Sequence, residues 1–114
     1  MSADCLFCRM AAGQIQVARL HDDDLVFAIR DINPQAPTHV LVVPKEHVVS
    51  AADLTEASGP LLGRLFSVAA DIARLEGLDG GWRLVSNVGP DGGQSVAHLH
   101  VHLLGGRAMG WPPG

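Results

Sequence analysis

Residues 98–104 alternate histidine with aliphatic side chains, and this alternation constrains the fold more than any other segment. Side chains i, i+2 and i+4 of a β-strand project from one face. The pattern therefore predicts that His98, His100 and His102 form one row, with neighbouring imidazoles roughly 6–7 Å apart. A row of imidazoles on a rigid strand favours metal binding or phosphate chemistry over ordinary surface positions. The opposite face offers three residues to a core: Leu99, Val101 and Leu103.

The segment just before this row, residues 87–95, is a glycine-rich loop. Glycine tolerates positive φ, so Gly89, Gly92 and Gly93 allow the main chain to turn its N–H groups toward an anion. Ser95 adds a hydroxyl to the same loop. A glycine-rich loop alone is a weak signal, because ordinary tight turns have the same composition. Joined directly to the histidine row, the loop favours phosphate as the ligand.

Together, the loop and the row resemble the signature of the histidine-triad (HIT) superfamily, in which three histidines alternate with hydrophobic residues. Residues 98–104 match that pattern at every position. The rest of the chain is similar to the histidine-triad nucleotide-binding branch, in the same order and with the same spacing. The resemblance implies a five-stranded antiparallel sheet and a homodimer in which the sheet continues across a two-fold axis. The segments that carry the resemblance are residues 31–39, 43–47, 92–95 and 111–114.

Length and composition limit the fold and the possible partners. A chain of 114 residues suffices for one core, so we predict a single domain over residues 1–114 that ends in a Trp-Pro-Pro-Gly tail. No apolar run approaches the roughly 18 residues of a membrane span, and the N-terminus lacks the features of a signal peptide. The net charge of −4, without a basic cluster, argues against binding to nucleic acid or anionic membranes. Cys5 and Cys8 are too close for a disulfide that staples the fold, which favours the reducing cytoplasm.

Hydrophobic periodicity and turn residues predict an α+β fold with an antiparallel sheet backed by helices. A short helix over residues 4–12 has Asp4 as a candidate N-cap and Gly13 as a candidate stop. A long helix over residues 53–76 carries apolar residues at helical spacing, although Gly59-Pro60 can interrupt its start. The predicted strands cover residues 16–21, 25–30, 38–43, 82–88 and 97–104.

The resemblance implies an enzyme whose catalysis needs no cofactor. In this family the middle histidine, here His100, attacks the α-phosphorus of a nucleotide and forms a covalent nucleotidyl-histidine intermediate. Water then releases the nucleoside monophosphate, so that one displacement becomes two easier ones. Neutral imidazole is a competent nucleophile near pH 7. The Trp-Pro-Pro-Gly tail and residues 92–95 favour hydrolysis of purine nucleoside phosphoramidates, such as amides of adenosine monophosphate (AMP).

The resemblance also assigns residues around the reacting phosphate. Donors are expected there because negative charge develops on the phosphate oxygens. Ser95 is implied to lie close to the leaving group. Without the resemblance, His39 would be interpreted as a surface histidine in a turn. Catalytic support is assigned to His102, Ser95, Asn87 and His39, and phosphate binding also to the main-chain amides of Gly93, Gln94, Ser95 and Val96.

The nucleoside end of the site is implied to consist of a carboxylate and several apolar residues. Asp31 only accepts hydrogen bonds, which suits the two hydroxyls of a ribose. By composition alone, Asp31 would be a turn former and the apolar residues would be core. Asn33 stands where relatives commonly carry serine. Trp111 is implied to reach the partner subunit's site and to help select the leaving group, or it is a docking anchor for a loose terminus. The apolar residues are Phe7, Met10, Ile15, Phe27 and Ile32.

Cys5 and Cys8 form a C-x-x-C pair whose thiolates can chelate one ion from a single helical turn. Some bacterial HIT relatives carry a Cys-Cys-His-His zinc site, and the matching positions here are Cys5, Cys8, His47 and His98. The resemblance therefore implies a structural zinc, with His98 structural and His100 catalytic. The alternatives are two inert buried thiols or, less favoured, a redox pair.

Two other functions stay open from the sequence. One is hydrolysis of dinucleoside polyphosphates, the activity of a related branch of the superfamily. The other is a non-catalytic nucleotide-binding regulatory protein, because a binder can retain catalytic residues. The implied partners are a purine nucleotide and a second copy of the chain, with neither nucleic acid nor membrane involved.

Overall fold

A computed structural model describes residues 4–114 of the chain. The five strands form one antiparallel sheet in the order β1-β2-β3-β5-β4. This confirms the predicted α+β class with a short N-terminal and a long helix. The elements are α1 (Leu6–Ala11), β1 (His21–Asp22), β2 (Val26–Arg30), β3 (Thr38–Pro44), 3-10 turns at Ala51–Asp53 and Glu56–Ser58, α2 (Gly59–Leu75), β4 (Trp82–Val85) and β5 (Val101–Gly105).

The sheet separates two apolar layers, and β3 at its centre is buried along its whole length. Alternation divides the side chains of β3 between the layers, because successive residues of a strand point to opposite faces. Val40 and Val42 pack with α2, whereas Leu41 and Val43 pack with α1. The predicted core face of the histidine segment lies in the α2 layer: Leu99, Val101 and Leu103. The histidines therefore lie on the α1 side.

Both helices begin later than predicted. The N-cap of α1 is Cys5 and not Asp4, and its Sγ atom accepts a hydrogen bond from the Cys8 amide. The long helix begins at Gly59 and not at residue 53, because residues 51–58 form two short 3-10 turns with their own caps. Pro60 lies at the start of α2, where a proline lacks only an N–H that the helix would leave unpaired.

Three strands are shorter than predicted. β1 is only two residues, not 16–21, and β4 ends at Val85 and not at residue 88. β5 begins at Val101 and not at residue 97. Its partner β3 ends at Pro44, which has no N–H for a ladder. The Leu99 amide donates instead to the Val48 carbonyl at 2.6 Å, so the histidine segment leaves the sheet at this point.

Within residues 4–114, none of the helices is long and apolar enough to cross a membrane. The prediction that the chain lacks a signal peptide depends partly on residues 1–3, which lie outside the described residues.

Candidate functional site

The three histidines of the predicted row divide between two sites. His100 and His102 line a cavity beside α1, with their ring centroids 4.9 Å apart. His98 is fully buried, and its Nδ1 atom faces two cysteines and a further histidine. The strand alternation thus puts the rings on one side of the sheet, but the end of β5 at Val101 allows His98 to take different partners.

The protonation of His100 is set by its own main chain. Its Nδ1 atom lies 2.7 Å from the His98 carbonyl oxygen. A carbonyl only accepts hydrogen bonds, so Nδ1 of His100 carries the proton and donates it. In the neutral ring the lone pair is then on Nε2. No group among residues 4–114 hydrogen bonds to that nitrogen, and the ring lines the cavity. His100 is therefore presented as an electron-pair donor.

A second chain of hydrogen bonds sets the protonation of His102. The Gln35 amide donates to Nδ1 of His39 at 3.0 Å, so the proton of neutral His39 is on Nε2. That nitrogen lies 2.9 Å from Nδ1 of His102 and donates to it. The proton of neutral His102 is consequently on its own Nε2. His102 thus brings an N–H donor to the cavity, beside His100, whose Nε2 atom carries a lone pair instead.

Burial keeps this pair of imidazoles neutral. It lowers the pKa of His102 to about 4, and the neighbouring His100 and His39 add to the effect, whereas Asp31 opposes it. Burial also lowers the pKa of His39, again against the attraction of Asp31, whose Oδ2 atom is 3.4 Å from His39 Nε2. The hydrogen-bond directions deduced for neutral rings therefore apply near pH 7.

The cavity lies between α1 and the sheet and has a volume of about 290 Å³. This is close to the lower end of the range of roughly 300–1,000 Å³ for small-molecule sites. Its walls are mostly apolar and also include Arg30, Asp31, Ser95, His100 and His102, which suits a ligand with an apolar ring and a charged group. The lining includes eight residues that the sequence predicted: Phe7, Met10, Asp31, Ile32, Ser95, Val96, His100 and His102.

The glycine-rich loop is held in shape largely by its own hydrogen bonds. The Gly93 amide donates to Pro90 O and the Gln94 amide to Gly89 O, both at 3.1 Å. Two of the four amides that were assigned to phosphate are thus already used within the loop. The Gln94 side chain also braces the loop, because it accepts from the Gly89 amide and donates to the carbonyls of Val49 and Val96. Of these four residues, Ser95 and Val96 line the cavity.

Gly92 is the position in this loop where a side chain cannot fit. A Cβ atom there would lie 2.4 Å from the Val88 carbonyl oxygen and 2.8 Å from the Val88 nitrogen. Gly93, in contrast, has open space around it but a φ of +79°, which disfavours other residues for conformational reasons. The two glycines are therefore required for different reasons.

The second site is a cluster of four side chains that we call the metal cluster: Cys5, Cys8, His47 and His98. One donor atom from each lies within 4.8 Å of all the others. Cys5 Sγ is 3.2 Å from His98 Nδ1, and Cys8 Sγ is 3.2 Å from His47 Nδ1. The Nδ1 atoms of the two histidines are 3.1 Å apart. Two thiols and two imidazoles are the donors that zinc prefers.

The geometry of the metal cluster fits a tetrahedral zinc ion. Ordinary Zn–N and Zn–S bond lengths put nitrogen and sulfur ligands about 3.6 Å apart and two nitrogens about 3.4 Å apart. The observed separations agree within a few tenths of an ångström. Nε2 of His98 donates to the Pro44 carbonyl at 2.8 Å, which fixes the lone pair on Nδ1. Such an outer hydrogen bond is typical of metal-binding histidines.

Several residues assigned from the resemblance lie outside the cavity lining. Trp111 is 83% exposed, with the Arg83 guanidinium 6.0 Å from its ring centroid. Phe27 is completely buried beneath the cavity wall, and Ile15 packs against the same apolar cluster. Asn87 is half-buried in the segment after β4. His39 lies outside the lining but contacts two residues of it, His102 and Asp31.

The sequence reasoning missed four residues that line the cavity: Leu6, Ile29, Arg30 and Leu41. Two of them could have been found from strand alternation. Ile29 of β2 is two residues before Asp31, which directly follows that strand, and Leu41 is two residues after His39 on β3. Alternation therefore predicts that each shares a face with a residue that was assigned to the site.

Comparison with known proteins identifies a family. The model of the HIT domain matches residues 12–109. A 14 kDa zinc-binding protein of Zea mays is 48% identical over 111 residues, which are 96% of this chain and 87% of the maize protein. A HIT-like protein of Synechococcus elongatus is 46% identical over 114 residues, the full length of both chains.

A solved structure has the same fold. The crystal structure of a HIT family hydrolase from Legionella pneumophila superposes with a TM-score of 0.94 at 47% sequence identity. The superposition covers 97% of this chain and all of the other. The similarity therefore extends over both the cavity and the metal cluster.

Proposed function

Because this chain belongs to the HIT domain family, we propose that it is a nucleotide-binding hydrolase that cleaves purine nucleoside phosphoramidates, such as AMP amides. The reaction proceeds through a nucleotidyl intermediate on His100. The observation that carries this proposal is the hydrogen bond from His100 Nδ1 to the His98 carbonyl, which leaves the lone pair of Nε2 at the cavity. A neutral imidazole held in one tautomer is suited to attack on phosphorus.

The proposed reaction has two displacements. In the first, His100 Nε2 forms a bond to the α-phosphorus while the phosphorus–nitrogen bond breaks, and the departing nitrogen takes up a proton and leaves as an amine. His100 is then cationic, so its hydrogen bond to the His98 carbonyl becomes stronger. In the second, water attacks the same phosphorus, loses a proton, and displaces neutral His100. The products are an amine and a nucleoside monophosphate.

The other residues of the cavity stabilise the phosphoryl group and hold the nucleoside. The Nε2–H of His102 and the amides of Ser95 and Val96 are donors for the phosphoryl oxygens. The Ser95 hydroxyl is a donor for the leaving nitrogen. Asp31, at the rim of the cavity, accepts hydrogen bonds from the ribose, and the base lies among Phe7, Met10 and Ile32.

The metal cluster is proposed to bind a structural zinc ion. The metal would supply no chemistry to the reaction, since it would be held by four protein ligands with no position left for a substrate. It would tie α1, through Cys5 and Cys8, to His47 and His98. Metal analysis of freshly purified, untagged protein should find about one zinc per chain, and Cys5→Ser should lower both the zinc content and the melting temperature. Protein that contains no zinc and is unaffected by this substitution would contradict the assignment.

A homodimer that continues the sheet is also proposed. β4 is at one end of the strand order, and an unpaired strand edge can accept a further strand. Beside it lies an apolar groove of about 280 Å³ whose wall includes Leu62, Phe66 and Leu84. Leu62 and Phe66 are 38% and 49% exposed on the same side of α2. A second copy across this edge would bury both.

The proposed reaction is tested by trapping the intermediate. Protein incubated with a slowly turned-over AMP phosphoramidate is denatured, digested at neutral pH and mapped by mass spectrometry, because phosphorus–nitrogen bonds to histidine are labile in acid. An adenylyl group on His100 is the expected result, and His100→Ala should lower kcat by about a thousandfold or more while nucleotide binding persists. His21→Ala, on β1 outside the cavity, is the matched control and should retain full activity.

The same assay separates the two alternatives. Faster turnover of diadenosine polyphosphates than of a fluorogenic AMP phosphoramidate would favour the related hydrolase branch. Nucleotide binding without turnover of either substrate, and without an adduct on His100, would favour a regulatory binding protein.

A further inference from the structure

The metal cluster and the cavity share structural elements, and we propose that occupancy of the cluster by zinc sets the affinity of the cavity for nucleotide. In this proposal, which rests on the proposed function, the two ligands bind cooperatively. The cysteines of the cluster are positioning residues for the nucleotide site.

The first observation concerns α1, which forms one wall of the cavity. This helix has six residues, and a helix that short is not stable by itself in water. Its position therefore depends on tertiary contacts. Cys5 at its N-cap and Cys8 in its first turn are directed at His98 and His47, so the cluster fixes the N-terminal end of α1 to the segments beside β3 and β5.

The second observation concerns the residues between those two cysteines and just after them. Leu6, Phe7 and Met10 of α1 line the cavity, opposite Ile29 and Leu41 of the sheet. The Phe7 ring contacts both the cluster and the nucleophile, with its centroid 5.6 Å from that of His98 and 5.1 Å from that of His100. The width of the cavity is thus the separation that the cluster imposes between α1 and the sheet.

The third observation is that His98 belongs to both sites. Its Nδ1 faces the cysteines, its Nε2 donates to the Pro44 carbonyl, and its own carbonyl accepts the proton of His100 Nδ1. A change in the position of His98 therefore moves the group that orients the nucleophile.

The metal cluster holds α1 more strongly with zinc bound than without it. Without metal, α1 is held there by thiol hydrogen bonds to imidazole nitrogens, and a thiol is a weak donor. Zinc binding removes one proton from each thiol and replaces these contacts with four metal–ligand bonds. The metal then adds to the apolar packing of α1 against the sheet, so less of the free energy of nucleotide binding is spent on ordering α1. Linkage requires that each ligand increase the affinity of the other by the same factor.

The experiment measures AMP binding to the zinc-loaded protein and to protein stripped with a chelator, by isothermal titration calorimetry. Circular dichroism first establishes a temperature at which the stripped protein is folded. We expect the Kd for AMP to rise about tenfold on stripping, within the usual range of coupling between sites. Reciprocally, saturating AMP should lower the fraction of zinc that a colorimetric chelator removes from the loaded protein at equilibrium, because the affinity for zinc rises by the same factor. This second measurement starts from the folded, loaded form.

Two variants separate positioning from general destabilisation. Cys8→Ala should raise the KM for a phosphoramidate more than it lowers kcat, because the α1 wall of the cavity is displaced while His98 keeps its contacts with Cys5 and the Pro44 carbonyl. Val68→Ala, in the α2 layer on the other side of the sheet, lowers stability by loss of core packing and should leave the Kd for AMP unchanged. Equal AMP affinity of the folded stripped and loaded proteins, or an equilibrium fraction of removed zinc that AMP does not lower, would overturn the inference while leaving the proposed function intact. Failure of AMP to bind even the loaded protein would overturn the proposed function and this inference with it.

Discussion

At the scale of single residues, the cavity combines two imidazoles whose exposed nitrogens have opposite hydrogen-bonding character. His100 presents a lone pair because its main-chain partner is an acceptor, whereas His102 presents a proton because its partner is a donor. The difference therefore results from neighbouring groups, since the side chains are chemically identical. It also explains why His39, which lies outside the cavity, belongs to the site.

The depressed pKa of His102 gives the first prediction. Burial lowers this pKa to about 4, so the ring should stay neutral, with its proton on Nε2, down to about pH 5. Because the unfolded ring has a pKa near 6.5, the unfolded state binds the proton first, and the stability contribution is complete above about pH 6.5 and is lost as the pH falls toward 4. Histidine NMR titration of the protein and of His102→Gln checks both the assignment and the value. A His102 pKa near 6.5 would contradict the effect of burial on this ring.

A second prediction concerns His39. In His39→Ala the donor to His102 Nδ1 is removed, so the proton of His102 is no longer confined to Nε2. We expect kcat to fall by roughly tenfold to a hundredfold, since one positioned donor at a charged transition state is worth about that much or more. The control is Gln35→Ala, because Gln35 contacts His39 only through its main-chain amide and the substitution keeps that amide. Steady-state kinetics on one phosphoramidate compares the two; equal kcat values would exclude a role for His39.

At the scale of elements, the loop between β4 and β5 is the part of the site that is most sensitive to size. Gly92→Ala would place a Cβ atom within 2.4 Å of the Val88 carbonyl, so the loop must shift and move Ser95 and Val96 with it. We expect AMP affinity to fall by about tenfold or more and the melting temperature to fall as well. Gly63→Ala is the matched control, since nothing lies within 4 Å of its added Cβ and alanine favours a helix by roughly 1 kcal/mol over glycine. A Gly92→Ala protein with normal AMP affinity would show that the loop does not hold the phosphate.

Strand alternation predicted much of the sheet but not the ends of its strands. The alternating and apolar segments at residues 25–30 and 38–43 correspond closely to β2 and β3, because burial of a strand requires that pattern. The early end of the ladder at Val101 follows from the register of β3, which stops at a proline 57 residues earlier in the chain. Alternation along residues 98–104 carries no information about that partner. The strand prediction therefore extended too far toward the N-terminus.

From the residues alone, the metal ligands of the candidate site could be predicted only where residue type and local spacing indicate chelation. The pair Cys5 and Cys8 indicated a chelate from its spacing, but the other two ligands came from the family resemblance, since they are distant in sequence. The use of the Gly93 and Gln94 amides within the loop could not be deduced from composition, because a glycine-rich loop can direct its N–H groups inward or outward. The family resemblance supplied the candidate site residues. The hydrogen bonds of the structure then removed the Gly93 and Gln94 amides from the candidate phosphate donors.

At the scale of the whole molecule, the sheet separates the larger apolar core from the cavity and the metal cluster. The α2 layer holds the larger apolar core, whereas the α1 layer contains both the cavity and the metal cluster. Substitutions in the α2 layer should therefore change stability without changing nucleotide affinity, and this is why Val68→Ala serves as a control above. An exposed apolar groove on the α2 side lies beside β4, at the edge of the sheet.

The last prediction concerns that edge. If a second copy continues the sheet at β4, then Phe66→Glu places a charge in the interface and should convert a dimer into a monomer, because an unpaired charge is costly to bury. Leu75→Glu is the matched control, since Leu75 lies on the same helix, is 82% exposed and is not part of the groove wall. Size-exclusion chromatography with light scattering should give twice the mass of the 12.0 kDa chain for the unmodified protein and for Leu75→Glu, and a single chain mass for Phe66→Glu. A monomeric unmodified protein would contradict the proposed assembly. A dimer that persists in Phe66→Glu would place the interface elsewhere and leave the exposure of Leu62 and Phe66 without a role in assembly.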